Sequence, residues 1–131
     1  MEESAKRAYH HGDLHEALIE QAIASVNAVG ADHVSLRAVA AAVGVGPSAA
    51  YHHFADKEAL IEAVKERGFL ELDSFILAQV PTDTGQSSPI ELLRHSAIAY
   101  ISYAVDNPHL FQVMFSGIQA PRRPEYIESS I

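Results

Sequence analysis

Along this chain apolar residues recur at intervals of three and four, and the period-two alternation of strands is nearly absent. The pattern predicts an all-α protein. A first helix is expected from Asp13, a good N-cap with Glu16 three residues on, as in a capping box. Leu14, Leu18, Ala22, Val26 and Val29 make its stripe, with Ile19 and Ile23 beside it, and Gly30 supplies a left-handed stop. Ser35 caps a short second helix to about Val43, with Leu36, Val39, Ala40 and Val43 on one face. Gly44-Val45-Gly46 breaks it. A third short helix runs from Pro47 to about Phe54, with Gly46 as N-cap and proline at the first helical position.

Asp56 caps a long fourth helix over about 56–80, with Leu60, Val64, Leu72, Phe75 and Ile76 on its apolar side and Pro81 ending it. Residues 81–89 are a polar linker. Ser88, with Glu91 at the capping-box position, begins a fifth helix reaching about Asp106. Asn107-Pro108 repeats the cap-then-proline device and begins a short sixth helix to Phe115, which Gly117 stops. The tail from Gln119 reads as a loop, and no internal repeat is present.

Composition narrows the function. At 131 residues with 48% hydrophobic side chains, the chain can bury a core. It has no cysteine, which removes disulfides, thiol nucleophiles and cysteine-held metals. No apolar run is long enough for a membrane span, and Met1-Glu2-Glu3-Ser4 is unlike a secretory signal, so a cytoplasmic location is expected. The formal charge of −8 weighs against nucleic acid as a partner. Residues 1–60 hold four basic residues (Lys6, Arg7, Arg37, Lys57) against eight acids, so any DNA contact must come from a few placed groups. Six of the eight histidines lie at or before His53 and can become cationic beside phosphates.

The segment 35–54 carries the functional signal. Two helices of about two turns around a glycine-containing turn form a helix-turn-helix pattern, a pattern that also occurs in helical bundles without nucleic acid. Pro47-Ser48-Ala49-Ala50 are short enough for a helix backbone to lie deep in a major groove. Tyr51, His52 and His53 can all hydrogen-bond. Lys57 stands at the start of the next helix, where free N–H groups already favour a phosphate.

The stretch Val34-Ser35-Leu36-Arg37-Ala38-Val39-Ala40, Gly44-Val45, Ala50-Tyr51-His52-His53-Phe54 and Lys57-Glu58-Ala59-Leu60 resembles the DNA-binding domain of the tetracycline-repressor (TetR) family, over roughly residues 10–60. Asn107-Pro108-His109-Leu110-Phe111 with Met114-Phe115 is similar, more weakly, to a segment in the bodies of some of these regulators. The resemblance implies a three-helix DNA-binding head at 10–56, and a helical ligand-binding and dimerisation body that begins at 57–131. By position, it implies that Pro47, Ser48 and Ala49 face bases and that Tyr51 and His52 lie near bases or phosphates. It implies phosphate contacts for His53, Lys57 and Ser35, with Arg37 near enough to contribute. Lys6 and Arg7, with His10 and His11, would form an arm toward DNA.

Three features depart from the family. Gly46 stands where a serine or threonine cap is frequent. Ala49 and Ala50 leave few base-edge donors, so specificity would rest on thymine methyls, on Ser48 and on DNA shape. Family members usually run well beyond this length and dimerise through two long C-terminal helices, so the chain is expected to be a fragment.

Other constellations say less. His11 and His15 are four apart but lack a third ligand, so no metal is expected, and no cofactor. His95, Tyr100, Tyr103, His109, Phe111, Met114 and Phe115 are ordinary core and surface one by one; together they have the composition of a hydrophobic-effector pocket. No glycine-rich phosphate loop, GxSxG or HExxH is present, so no enzyme is expected. The expectation is a transcriptional regulator, a repressor, that binds a palindromic operator as a homodimer and is released by a small-molecule effector. The alternative is a helical protein–protein interaction module without DNA binding.

Overall fold

A computed structural model describes residues 12–81, 85 and 88–117. Within them the chain forms six α-helices: α1 (Gly12–Val29), α2 (Leu36–Val43), α3 (Pro47–His53), α4 (Lys57–Gln79), α5 (Pro89–Asp106) and α6 (Pro108–Met114). A single 3₁₀ turn (Ala31–His33) links α1 to α2. No strand occurs among the described residues, and none of their helices is long and apolar enough to cross a membrane.

Three helices start where local chemistry dictates. Ser35 Oγ accepts the Ala38 N–H at 3.0 Å, Asp56 Oδ1 accepts that of Ala59 at 2.8 Å, and Ser88 Oγ accepts that of Glu91 at 3.2 Å. Each satisfies an orphan donor of the first turn, worth about 1 kcal/mol. The start of α1 differs from expectation. The helix begins at Gly12, so Asp13 lies in the first turn, where its charge suits the helix dipole. Glu16 is paired across the fold with Arg67 of α4, and this hydrogen bond holds the guanidinium still more firmly in its charged form.

Leu14, Leu18, Ile19, Ala22 and Val26 of α1 are buried with Leu36, Val39 and Ala40 of α2, Ala50 of α3, Phe54, and Leu60 and Val64 of α4. These side chains form one end of the core. Val29, expected in the same stripe, is 50% exposed, because the inward row reaches Gly30 at the next turn. Gly30 has φ 84 and ψ 159, a positive-φ backbone suited to glycine that turns the chain into the 3₁₀ turn.

The core continues without a break through Leu72 of α4, Tyr103 of α5 and Leu110, Val113 and Met114 of α6. Here α6 lies against both α4 and the end of α1. Gly68 is what lets it approach α4: a methyl at that position would sit 2.7 Å from Met114 Sδ. Asn107 was expected to cap α6, but its side chain serves the neighbouring elements instead. Its Nδ2 donates to the Tyr103 carbonyl at 3.1 Å, and its Oδ1 accepts from Asn27 Nδ2 of α1 at 3.4 Å.

Candidate nucleic-acid interface

The geometry of α3 follows from which of its residues the core claims. Ala50 is fully buried and Phe54, just past the helix end, is 5% exposed, so this side of α3 is pinned to the head. Residues one and two steps round the helix are left outside: Pro47, Ser48, Tyr51 and His52 are exposed, at the i, i+1, i+4 and i+5 positions of one face. Ala49, read in sequence as base-facing, is half-buried and packs against the core. His53 is half-buried and takes part in ring contacts with both His15 and His52.

The turn before α3 is fixed by backbone chemistry. Gly44 is left-handed (φ 94, ψ 23), and its N–H reaches the carbonyls of Ala40 and Ala41. Val45 N–H also reaches the Ala40 carbonyl, at 3.0 Å, and its side chain packs against the core. Gly46 stands at the N-cap of α3 without a side-chain bond.

Two further helix starts carry the remaining expected contacts. Ser35 is exposed, and its oxygen is already used as an acceptor by the Ala38 N–H. Its hydroxyl hydrogen can still donate outward, so capping and phosphate binding are compatible. Arg37 is exposed in the first turn of α2. Lys57 is 25 residues from Asp32 in sequence, yet its Nζ donates to the Asp32 carbonyl at 3.3 Å. That bond holds the ammonium beside the segment leading into α2. Lys6, Arg7, His10 and His11, the expected arm, lie outside the described residues, as does His11 of the His11–His15 pair. No group of three or more histidine or carboxylate side chains among the described residues is placed to hold a metal ion.

The seven body residues fall in different places. Tyr100, Phe111 and Phe115 form one aromatic cluster with Phe69 of α4, with ring centroids 4.7 Å apart for Phe111–Phe115 and 5.2 Å for Phe69–Phe115. Tyr103 lies against Phe75 with centroids 5.8 Å apart. Its Oη is buried and finds no hydrogen-bond partner among the described residues. Burial pushes its pKa up to about 12, and the charge of Glu71 adds to the shift. Met114 is core, against Gly68. His95 is exposed on α5. His109 lines a hollow of about 350 Å³ with Gly30, His33 and Gln112, away from the aromatic cluster. Sequence reasoning missed this hollow and missed Gly68. Gly30, where the positive φ occurs, was the one visible sign of the first.

Residues 18–64 match the family model of bacterial regulatory proteins of the tetR family. Over that segment the chain is similar to the tetR family. The segment runs from the middle of α1 into α4, and so takes in α2, the turn, α3 and Lys57. Two solved structures share the fold. TetR from Acinetobacter baumannii AYE is 20% identical with a TM-score of 0.62, the match covering 86% of this chain and 55% of that one. A protein from Shewanella sp. PV-4 described as a tetR family transcription regulator is 23% identical with a TM-score of 0.60, covering 88% and 60%. This chain thus spans little more than half the length of either tetR structure, and at these identities the likeness is one of fold. No curated protein matches the sequence.

Proposed function

We propose that this chain is the head and the beginning of the body of a DNA-binding transcriptional regulator. The head, 10–56, reads a palindromic operator as one half of a homodimer. The body, from 57, senses a small-molecule effector that releases the operator, so the regulator is a repressor acting in the cytoplasm rather than an enzyme. The observation that carries this reading is the division of α3: Ala50 and Phe54 hold it to the core, and Pro47, Ser48, Tyr51 and His52 stand outside together. Such a helix can enter a major groove, while Ser35, Arg37 and Lys57 at two neighbouring helix starts position it on phosphates.

The body can influence the head by two routes. α4 is one continuous helix of 23 residues, about 34 Å long, and starts beside α3. α6 is fastened to α1 through Asn107 and Asn27. An effector that prefers one placement of α6 against α4 would therefore bias the head, as a two-state coupling requires. The outward face of α5 supports association: Ile90, Leu93, Ile101 and Val105 are each at least 60% exposed. A large apolar patch of this kind marks a contact surface.

Selection of an operator from random duplexes tests the reading. Ser48→Arg should change the preferred sequence, since one good base contact discriminates by roughly 1–3 kcal/mol. An unchanged operator would remove α3 from the groove. Failure to bind duplex DNA at any salt concentration would favour the protein–protein module instead.

A further inference from the structure

The 3₁₀ turn after α1 and the helix α6 border a hollow of about 350 Å³. That volume is at the small end for organic ligands, whose sites run roughly 300–1,000 Å³. Asp32 and His33 line it from the turn, His109 and Gln112 from α6, and Val29 and Val113 supply apolar surface. His109 and Gln112 are three residues apart and so share a face of α6. A β-carbon at Gly30 would stand 3.6 Å from His109 Nδ1, so this imidazole lies over the bare backbone of the glycine.

Both walls are held in place. Lys57 Nζ donates to the Asp32 carbonyl at 3.3 Å, and Asn27 Nδ2 donates to Asn107 Oδ1, at the start of α6, at 3.4 Å. The polar side chains of the lining are not used in this. Among the described residues, no hydrogen bond or ion pair takes the Asp32 carboxylate, either imidazole or the Gln112 amide. Elsewhere the charged groups around hollows are spent on one another, Glu62 on Lys65 and Glu16 on Arg67.

What the free groups share is the ability to accept. A carboxylate only accepts, and a neutral imidazole and an amide oxygen each offer a site for an N–H. Asp32 carries the fixed charge of the lining. In the adjoining hollow Asp32, Glu58 and Glu62 outnumber Lys57 and Lys65, on a chain whose charge is −8. The local and the overall field both favour a cation.

We propose that this hollow binds a small organic amine and that such an amine is the effector of the regulator. Its ammonium has three N–H donors to share between Asp32 and His33 of the turn and His109 and Gln112 of α6. Its apolar part rests on Val29 and Val113. The effector role rests on the function proposed above. The residue that holds the amine by its side chain also holds Lys57 by its carbonyl. A placement of the turn against α6 that the amine prefers therefore governs a proposed phosphate contact.

The test titrates phenethylamine into the full 131-residue chain, with 2-phenylethanol and 3-phenylpropanoate as neutral and anionic counterparts. Calorimetry should show the amine binding about tenfold more tightly than either, the gain of a hydrogen bond to a charged group. NMR should show the Gln112 side-chain amide and the His33 and His109 rings shifting together. Asp32→Asn, isosteric and at an exposed position, should lose about tenfold in amine affinity. Gln112→Leu should lose a few-fold and keep the preference for amine over alcohol. At constant ionic strength the amine should weaken operator binding by the wild type and not by Asp32→Asn. No saturable binding of the amine, equal binding of the three compounds, or amine binding untouched by Asp32→Asn overturns the site. Amine bound in the hollow with operator affinity unchanged upholds the site and overturns the effector role. Amine bound by a chain that binds no duplex at any salt concentration upholds the site and overturns the DNA-reading role instead.

Discussion

Gly68 offers the sharpest test of how α4 and α6 are joined. It lies in α4 where α6 crosses, and it is buried. A β-carbon added there would stand 2.7 Å from Met114 Sδ and 2.8 Å from its Cγ, closer than such atoms approach. Met114 is 1% exposed, so its side chain has little room to retreat. Two effects of Gly68→Ala oppose one another. Alanine is the better helix former by about 1 kcal/mol. Overpacking a close-packed crossing costs about 1–3 kcal/mol. The expected sum is a loss of about 1 kcal/mol.

Met114→Ala alone should cost about 2–5 kcal/mol, for lost burial and the cavity left behind. In the Gly68→Ala background the new methyl occupies part of that space, so the same truncation should cost less. The coupling between the two sites should be at least about 1 kcal/mol. Denaturant titration of the four proteins, followed by circular dichroism, measures it. If Gly68→Ala is more stable than the wild type by its helix propensity, and Met114→Ala costs the same in both backgrounds, α6 does not press on α4 as described.

Two other outcomes follow from the structure. Lys57→Ala should weaken binding about equally on all DNA sequences and flatten the salt dependence by roughly one counterion, read from affinities across a salt series; a loss confined to one base position would contradict a phosphate role. Tyr103, held neutral by burial with its pKa at about 12, contributes a stability that is complete below the unfolded value of 10.0 and is lost as pH rises through the folded one. Tyr103→Phe should remove about 2 kcal/mol of alkaline destabilisation in that window. An identical alkaline unfolding curve for the two proteins would contradict the burial of that group.

How much of the fold was legible depends on the range of the chemistry involved. Ser35, Asp56 and Ser88 each cap through a bond to a residue three positions on, and such bonds are readable from spacing alone. Glu16 has the same spacing from Asp13, yet Arg67 lies 51 residues away and takes its carboxylate. Asn107 has the right sequence for a cap, but its amide is claimed by Tyr103 and Asn27. In sequence Gly68 looks like a weak point in a helix. Its purpose appears only once Met114 is placed against it.

The body was harder to read for a related reason. α5 is apolar nearly all the way round, with Ala99 and Tyr103 buried on one side and Ile90, Leu93, Ile98, Ile101 and Val105 open on the other. Periodicity identifies a helix here but cannot rank two apolar sides, so spacing alone does not show which aromatic residues of α5 and α6 come together. In the structure they divide between the Phe69 cluster and the Phe75 contact.

The head was more legible because its sides differ in chemistry. Even there, Ala49, which the resemblance places facing bases, is half-buried and packs against the core beside Val45 and the fully buried Ala50. Ser48, Tyr51 and His52 are the exposed polar side chains of α3, on a chain whose charge is −8. If α3 reads DNA as proposed, so few groups on an acidic protein would give one head little affinity, since non-specific attraction depends on positive charge. The proposed homodimer answers this directly. Once one head is on DNA, the second binds at high effective concentration, and two weak readings combine into a strong one without any further contact. The rigidity of the α4–α6 crossing at Gly68 and Met114 then matters as much as the side chains of α3, because heads held at the wrong separation lose that gain.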